Sequence, residues 1–265
     1  MPKYKHILLF FLCSSFLVCA NAAQTNPTDL AVEFQETVFP NLQPPSEVIT
    51  AYAKALEESL RNSSIQLDSA QYVILVDRNP NVQAEMIFWG DANNGWVLIG
   101  AAPVSTGMPG TFDHFLTPLG LFTHSLDNPD FRSEGTKNEF SFRGYGIKGM
   151  RVYDFGWVNE PRGWGDKQMA VMRLQMHATD PDLAENLLGI PRSKGCIRIP
   201  ASMNEFIDRY GLLDADYDAA IKKGSHFWVL RHDRNPTNTP GRYLMVINSD
   251  LKTRPSWAVV PKSKK

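Results

Sequence analysis

The clearest chemical pairing in this chain is His177 with Cys196, nineteen positions apart. A thiol becomes a strong nucleophile when a nearby imidazole takes its proton. Gly195 lets the backbone approach a substrate, so the N–H groups beside it are candidates for binding a tetrahedral oxyanion. Three cationic side chains, which favour a thiolate, flank the cysteine: Arg192, Lys194 and Arg198. The spacing also fits a buried, inert cysteine, and both interpretations stay open on residue types alone.

Two neighbouring elements must bring the histidine and the cysteine together. Residues 170–177 have the β character of a strand that ends at the histidine. Residues 180–188 fit a helical excursion that Thr179 or Asp180 caps and Gly189 ends. An excursion of that length can return the chain to the strand end, so we expect the thiol to lie beside the imidazole.

The remaining pattern predicts a mainly β protein with a few helices. A helical preface is expected over 23–70, a β-rich body over 71–232 and a tail over 233–265. The Gly-rich, aromatic stretch 127–170 is interpreted as an insertion or lid over a cleft, or as a hairpin whose aromatic residues only pack. Strands are predicted at 72–77, 84–89, 95–101, 115–124, 140–147, 150–155, 226–230 and 243–247, and a helix at 202–210.

Composition excludes several classes of function. The formal net charge of −1 argues against a nucleic-acid footprint, which needs a basic patch. With 43% hydrophobic and 21% charged residues, the chain can bury a core. Its three cysteines are too few for a disulfide framework and lack zinc-site spacing, so no metal is expected.

The first 22 residues have the three parts of a secretory signal. Lys3 and Lys5 precede a fourteen-residue apolar run at 7–20, which ends in the small-residue site Ala20-Asn21-Ala22. The run is shorter than the roughly 20 residues of a membrane span, so no stable span is expected, although a short N-terminal anchor is the alternative. Cleavage after Ala22 would remove Cys13 and Cys19. The pattern therefore predicts export to the periplasm or cell envelope with Cys196 as the sole thiol.

The cysteine segment resembles the active-site signature of the L,D-transpeptidase catalytic domain family (YkuD-like). That signature has a His, about fifteen residues, then Ser/Thr-His-Gly-Cys and a polar residue two further on. Here His177 is followed by fifteen residues, Ser193-Lys194-Gly195-Cys196 and then Arg198. Two upstream stretches also match the family: Val104-Ser105-Thr106-Gly107 and Thr117-Pro118-Leu119-Gly120. The resemblance covers about residues 71–232.

The resemblance implies a sandwich- or barrel-like fold and an enzyme of peptidoglycan stem peptides that needs no cofactor. Cys196 would attack the carbonyl after the third stem residue, with His177 as general base. The Ala178 carbonyl would orient the imidazole, and the Gly195 and Cys196 N–H groups would line the oxyanion hole. Arg198 would bind a substrate carboxylate or brace the loop. An amine would then take the acyl group, or water would in a carboxypeptidase.

One position departs from the family, because Lys194 stands where the signature has its second histidine. Lys194 and Ser193 are expected to contact the substrate, and a Ser193 nucleophile with Lys194 as its base is an alternative. The lysine also leaves open a hydrolytic variant, or a catalytically retired envelope-binding protein on the same fold. An effector delivered to rival cells is a third possibility. His124 is interpreted as a packed or surface residue and His226 as a structural residue in a strand. The sequence predicts no oligomeric state.

Overall fold

A computed structural model describes residues 26–91 and 93–258. It shows a mixed α/β protein with two sheets and few helices, which is compatible with the mainly β fold expected. The predicted signal at 1–22, with Cys13 and Cys19, lies outside the described residues. Among the residues that are described, no helix is both long and apolar enough to cross a bilayer.

Five strands form the first sheet: β1 (Gln71–Asp77), β2 (Ala84–Asp91), β3 (Gly95–Pro103), β4 (Gly120–Thr123) and β9 (Tyr243–Ile247). Their order across the sheet is β3-β2-β1-β9-β4. The last strand, β9, pairs parallel with β1 and antiparallel with β4. The strand predicted at 243–247 is therefore present, and it is an interior strand of this sheet although it lies in the stretch 233–265 interpreted as a tail.

Four strands form the second sheet: β5 (Phe131–Arg132), β6 (Arg151–Pro161), β7 (Met169–Ala178) and β8 (Ile197–Ile199). Their order is β5-β6-β7-β8, with β6 and β7 in a long antiparallel hairpin and β8 parallel to β7. Strands β5 and β6 lie within 127–170, so part of that stretch belongs to this sheet, and the interpretation of the stretch as an insertion or lid stays a prediction.

Three predicted elements are absent from the described residues. Residues 140–147 form turns instead of a strand, and Gly146 within them has a φ of +77°. Residues 226–230 pair with no strand, and His226 is exposed, not packed. Only a single 3₁₀ turn, Glu185–Leu187, forms within the predicted helix at 180–188. There the Asp180 carboxylate accepts hydrogen bonds from the backbone of Arg143 and Asp182, which holds a turn.

Four helices complete the described chain: α1 (Pro27–Thr37), α2 (Ser46–Asn62), α3 (Ala201–Tyr210) and α4 (Ala215–Ile221). As predicted, α3 ends before Gly211, whose φ is +57°. Helix α1 packs into the core between the two sheets, where Phe34 meets Phe206 of α3 with ring centroids 5.2 Å apart. A Cβ at Gly100 would lie 2.1 Å from the Phe34 ring, so glycine is required under α1. The helical preface is thus part of the fold.

The two faces of the first sheet pack against different partners. Its inner face and the second sheet share one core cluster, together with α1 and α3. Its outer face packs on α2, which buries Tyr52, Leu56 and Leu60 against it. Both faces of the first sheet are therefore covered, whereas one face of the second sheet is left for other contacts.

A buried charge cluster joins β5, β6, α3 and α4. Four basic side chains alternate with four carboxylates: His124, Arg132, Arg151 and Arg234 with Asp130, Asp208, Asp214 and Asp218. Arg151 is fully buried and donates to Asp130 at 2.7 Å and to Asp214 at 2.6 Å. Buried charges at this density are tolerated because each is paired.

The geometry requires a doubly protonated His124. Its Nδ1 lies 2.9 Å from the Leu213 carbonyl, and its Nε2 lies 2.8 Å from the Asp130 carboxylate. Both partners accept, so both ring nitrogens must donate. Burial lowers the pKa of His124, but the charge of Asp130, its hydrogen bond to the ring and the charge of Asp214 together outweigh burial and raise the pKa above its usual value. The imidazolium also balances the fourth carboxylate of the cluster.

This raised pKa makes stability fall as pH rises. The folded state holds the His124 proton more tightly than the unfolded state, so the stabilisation is complete below about pH 6.5. It is lost as pH rises through the folded pKa, with a slope of at most about 1.4 kcal/mol per pH unit. We expect the free energy of unfolding of wild type, measured in urea from pH 6 to 9, to approach that of His124→Asn. A difference between the two that stays constant with pH would contradict this prediction.

Candidate active site

The register of β7 and β8 places His177 and Cys196 on one face of the second sheet. Met176 pairs with Ile197 and His177 with Arg198, so Cys196 lies level with Gln175. Side chains alternate along a strand, and neighbouring strands lie about 4.8 Å apart. The side chains of Gln175, His177 and Cys196 therefore project together from the face of the sheet that points away from the core. The structure thus brings His177 and Cys196 together. The segment between them returns the chain through turns and the parallel pairing of β8 with β7, and not through the predicted helix.

His177 is a buried, neutral imidazole. Its Nδ1 lies 2.8 Å from the Ala178 carbonyl, the contact that the family resemblance implied. A carbonyl only accepts, so Nδ1 carries the proton and Nε2 is left as an acceptor. Burial lowers the pKa of His177 to about 4, and the Arg198 charge contributes in the same direction. At neutral pH the ring can therefore accept a proton.

Cys196 is a half-buried thiol in the same surroundings. Burial raises the pKa of the thiol above its usual value, although the Gln175 backbone and the Arg198 charge oppose this. Its Sγ lies 4.0 Å from the Arg173 carbonyl, and no hydrogen bond joins it to His177 within the described chain. The resting pair is therefore thiol and neutral imidazole, and proton transfer requires Sγ to turn toward Nε2.

The three sequence motifs that are far apart in the chain converge around Thr117. The Thr117 hydroxyl accepts from Gly107 N at 2.9 Å and donates to the Gly195 carbonyl at 2.8 Å. Ser105 and Arg198 exchange two backbone hydrogen bonds of 2.9 Å each. Through these hydrogen bonds, the motifs at 104–107 and 117–120 therefore hold the turn at 193–196 that carries Cys196.

Ser193 and Gly195 shape this turn. The buried Ser193 hydroxyl donates to the Cys196 carbonyl at 2.5 Å and accepts from Gly195 N at 3.0 Å. The Ser193 hydroxyl and the Gly195 N–H expected for the oxyanion hole are therefore both engaged within the turn, and substrate contact by Ser193 stays a prediction. Gly195 has a φ of +130°, and a Cβ there would lie 2.8 Å from Met172. Since L side chains rarely adopt this φ, a substitution at Gly195 would strain the turn.

Lys194 lies on the exposed side of the turn. Its Nζ lies 2.7 Å from the Asp113 carboxylate, and both side chains are more than half exposed. Its carbonyl accepts from Phe115 N at 3.0 Å. The ion pair with Asp113 was not predicted. Such an exposed pair is worth about 0–1 kcal/mol, so a substrate carboxylate can compete for the lysine.

Arg198 lies beside a pocket of about 210 Å³ that Arg192 and several apolar side chains also line: Phe142, Leu183, Leu187 and Leu188. The guanidinium of Arg198 stands over the Phe142 ring, 5.4 Å from its centroid. Its Nε is buried without a hydrogen-bond partner. Among the described residues, neither Arg192 nor Arg198 forms an ion pair with a carboxylate. This end of the cleft carries uncompensated positive charge.

A chain of ion-pair and hydrogen-bond contacts that was not predicted links the side chains around the thiol. Arg173 Nε lies 2.7 Å from the buried Asp154 carboxylate, which accepts from Gln175 Nε2 at 2.8 Å. Gln175 Oε1 accepts from the Tyr145 hydroxyl at 3.2 Å, and the Tyr145 ring packs edge-on against His177, with centroids 4.7 Å apart. The alternation along β7 was the available signal, because residues 173, 175 and 177 share one face.

No protein-family model matches this chain, and no curated protein matches it. Within the described residues, no group of three or more His, Cys, Asp or Glu side chains is arranged to hold a metal ion.

Proposed function

We propose that the protein is an exported cysteine acyltransferase of peptidoglycan stem peptides, similar to the L,D-transpeptidases. The observation that carries the proposal is the neutral His177, with Nε2 free, on the same sheet face as Cys196. The convergence of the three family-like motifs at Thr117 supports it, because residues unrelated in sequence position serve one turn.

The chemistry follows from the two neutral groups. Cys196 gives its proton to His177 Nε2 as Sγ attacks the carbonyl of the third stem residue, forming a tetrahedral intermediate. The imidazolium then gives that proton to the leaving D-alanine amine, the C–N bond breaks and a thioester remains. An acceptor amine attacks the thioester and loses a proton to His177, which returns it to the departing thiolate. A cross-link or attachment results, and water as acceptor gives a carboxypeptidase.

The uncompensated charge of Arg198 and Arg192 supports an anionic substrate. An unpaired, partly buried guanidinium is costly unless a ligand carboxylate meets it. The carboxylate of the leaving D-alanine lies one residue beyond the scissile bond. We therefore assign that carboxylate to the end of the cleft where Arg198 stands.

A catalytically retired envelope-binding protein is the second candidate. The raised pKa of the Cys196 thiol and its contact with the Arg173 carbonyl favour this alternative, because both hold the thiol in a resting state. Lys194, which stands in place of the family histidine, also favours a protein without catalytic activity. Reactivity separates the two candidates.

The test is incubation with disaccharide-tetrapeptide muropeptides followed by mass spectrometry, with Cys196→Ala as the matched variant. We expect loss of D-alanine and a tripeptide or tripeptide-linked dimer in wild type only. The ratio of tripeptide to dimer then distinguishes hydrolysis from transfer. If neither protein changes the muropeptides, and iodoacetamide alkylates Cys196 no faster than a free peptide thiol, the enzyme proposal fails and the binding protein stands.

A further inference from the structure

The hairpin of β6 and β7 extends beyond the active site as a two-stranded ribbon with an exposed apolar face. Trp157 pairs with Arg173, Asn159 with Val171 and Pro161 with Met169. On β7, positions 169 and 171 share the face of Arg173 and Gln175, so this surface continues directly from the cysteine cleft. We call the outward side chains of these three pairs the ribbon face.

The ribbon face is unusually apolar for a solvent-exposed surface. Trp157 is 67% exposed, Met169 61% and Val171 59%. The guanidinium of Arg173, held by Asp154, stands 5.4 Å from the centroid of the Trp157 ring and fixes that ring on one side. A contiguous exposed patch of this kind marks a binding surface.

The charge of the cleft sets the direction of a bound stem peptide. Arg198 and Arg192 lie beyond Cys196 toward the C-terminal end of β7, and the ribbon face lies toward its N-terminal end. With the C-terminal carboxylate at Arg198, the N-terminal half of the stem must run along β7 toward Trp157. This step rests on the proposed function.

The distance along β7 from the thiol to the ribbon face matches the length of the stem peptide that precedes the scissile bond. Trp157, which pairs with Arg173, lies two strand residues, or about 7 Å, from Gln175, the residue level with the thiol. Val171 lies four residues, or about 14 Å, from Gln175. The three stem residues before the scissile bond span at most about 10 Å, and the sugar follows them. The sugar then falls on the ribbon face, between the levels of Trp157 and Val171.

We propose that the ribbon face binds the N-acetylated amino-sugar chain of peptidoglycan, with a pyranose ring stacked on Trp157. The C–H face of a pyranose is apolar and flat, as is an indole. Asn159 and Arg173, at the rim, offer donors to hydroxyl and acetamido oxygens. A peptide in this position would need backbone partners, whereas the ribbon presents side chains.

The test compares Trp157→Ala with the control Trp228→Ala, which removes an equally exposed tryptophan (75% exposed) outside the ribbon face. For each protein, kcat/KM is measured on disaccharide-tetrapeptide and on free tetrapeptide. We expect wild type and Trp228→Ala to prefer the disaccharide form, and the preference to fall about tenfold in Trp157→Ala. An unchanged preference in Trp157→Ala, or an equal fall in both variants, would overturn the assignment.

A binding measurement separates this inference from the proposed function. Calorimetric titration with an N-acetylglucosamine tetrasaccharide needs no turnover, so it applies even if muropeptides are left unchanged. Binding that Trp157→Ala weakens about tenfold and Trp228→Ala leaves unaltered supports the sugar site. Absence of binding to wild type, or equal binding by both variants, contradicts it.

Discussion

Replacing His177 with glutamine is expected to slow acylation of Cys196 by about 10²–10⁴-fold, the usual contribution of a positioned general base. Glutamine retains a donor for the Ala178 carbonyl but cannot take the thiol proton at neutral pH. Because burial lowers the pKa of His177 to about 4, we also expect the wild-type rate to fall only below about pH 4 on its acid side. The measurement is single-turnover release of D-alanine from disaccharide-tetrapeptide across pH.

The matched control is His226→Gln, since His226 is exposed and lies outside the second sheet that carries His177. We expect its rate to equal that of wild type. The folded pKa of His177 is depressed, so wild type should lose stability relative to His177→Gln as pH falls from about 6.5 to 4. A rate within threefold of wild type in His177→Gln would remove the histidine from the mechanism.

Replacing Glu85 with glutamine is expected to raise the free energy of unfolding at pH 7 by about 3 kcal/mol. Glu85 lies in β2 between Val76 and Ala102, fully buried, on the core side of the sheet with Ile87. Neither carboxyl oxygen has a hydrogen-bond partner among the described residues. Burial raises the pKa of Glu85 to about 8, so folding at neutral pH requires uptake of a proton.

The sign follows from that proton. An unfolded Glu85 ionises near pH 4.3, so the wild-type fold is progressively destabilised from about pH 4 to 8. Urea unfolding at pH 4 and pH 7.5 tests this: we expect a gain for Glu85→Gln at the higher pH that disappears at the lower one. Glu58→Gln, on the exposed side of α2, is the control. An equal gain at both pH values would mean that packing and not protonation is responsible.

The sequence-based prediction of elements succeeded where local patterning and packing agree. The strand at 72–77 and the helix at 202–210 are present because an apolar run and a glycine stop signal act locally. The strands predicted at 140–147 and 226–230 are absent, because apolar and aromatic residues there found no neighbouring strand with which to pair. The pairing of strands depends on residues far apart in the chain, and the hydrophobic periodicity of one segment carries no information about it.

The sequence by itself determined which two residues carry the chemistry of this proposal and which motifs accompany them. Spacing identified His177 among the six histidines, because it stands fifteen residues before the Ser193-Lys194-Gly195-Cys196 motif. Only the tertiary structure decided the protonation and the surroundings of His177 and Cys196. The low pKa of His177 comes from burial, the roles of Ser193 and Gly195 come from hydrogen bonds within the turn, and the ribbon face comes from strand register. Burial, hydrogen bonding and register depend on residues far apart in the chain, so they become visible only when the chain is folded.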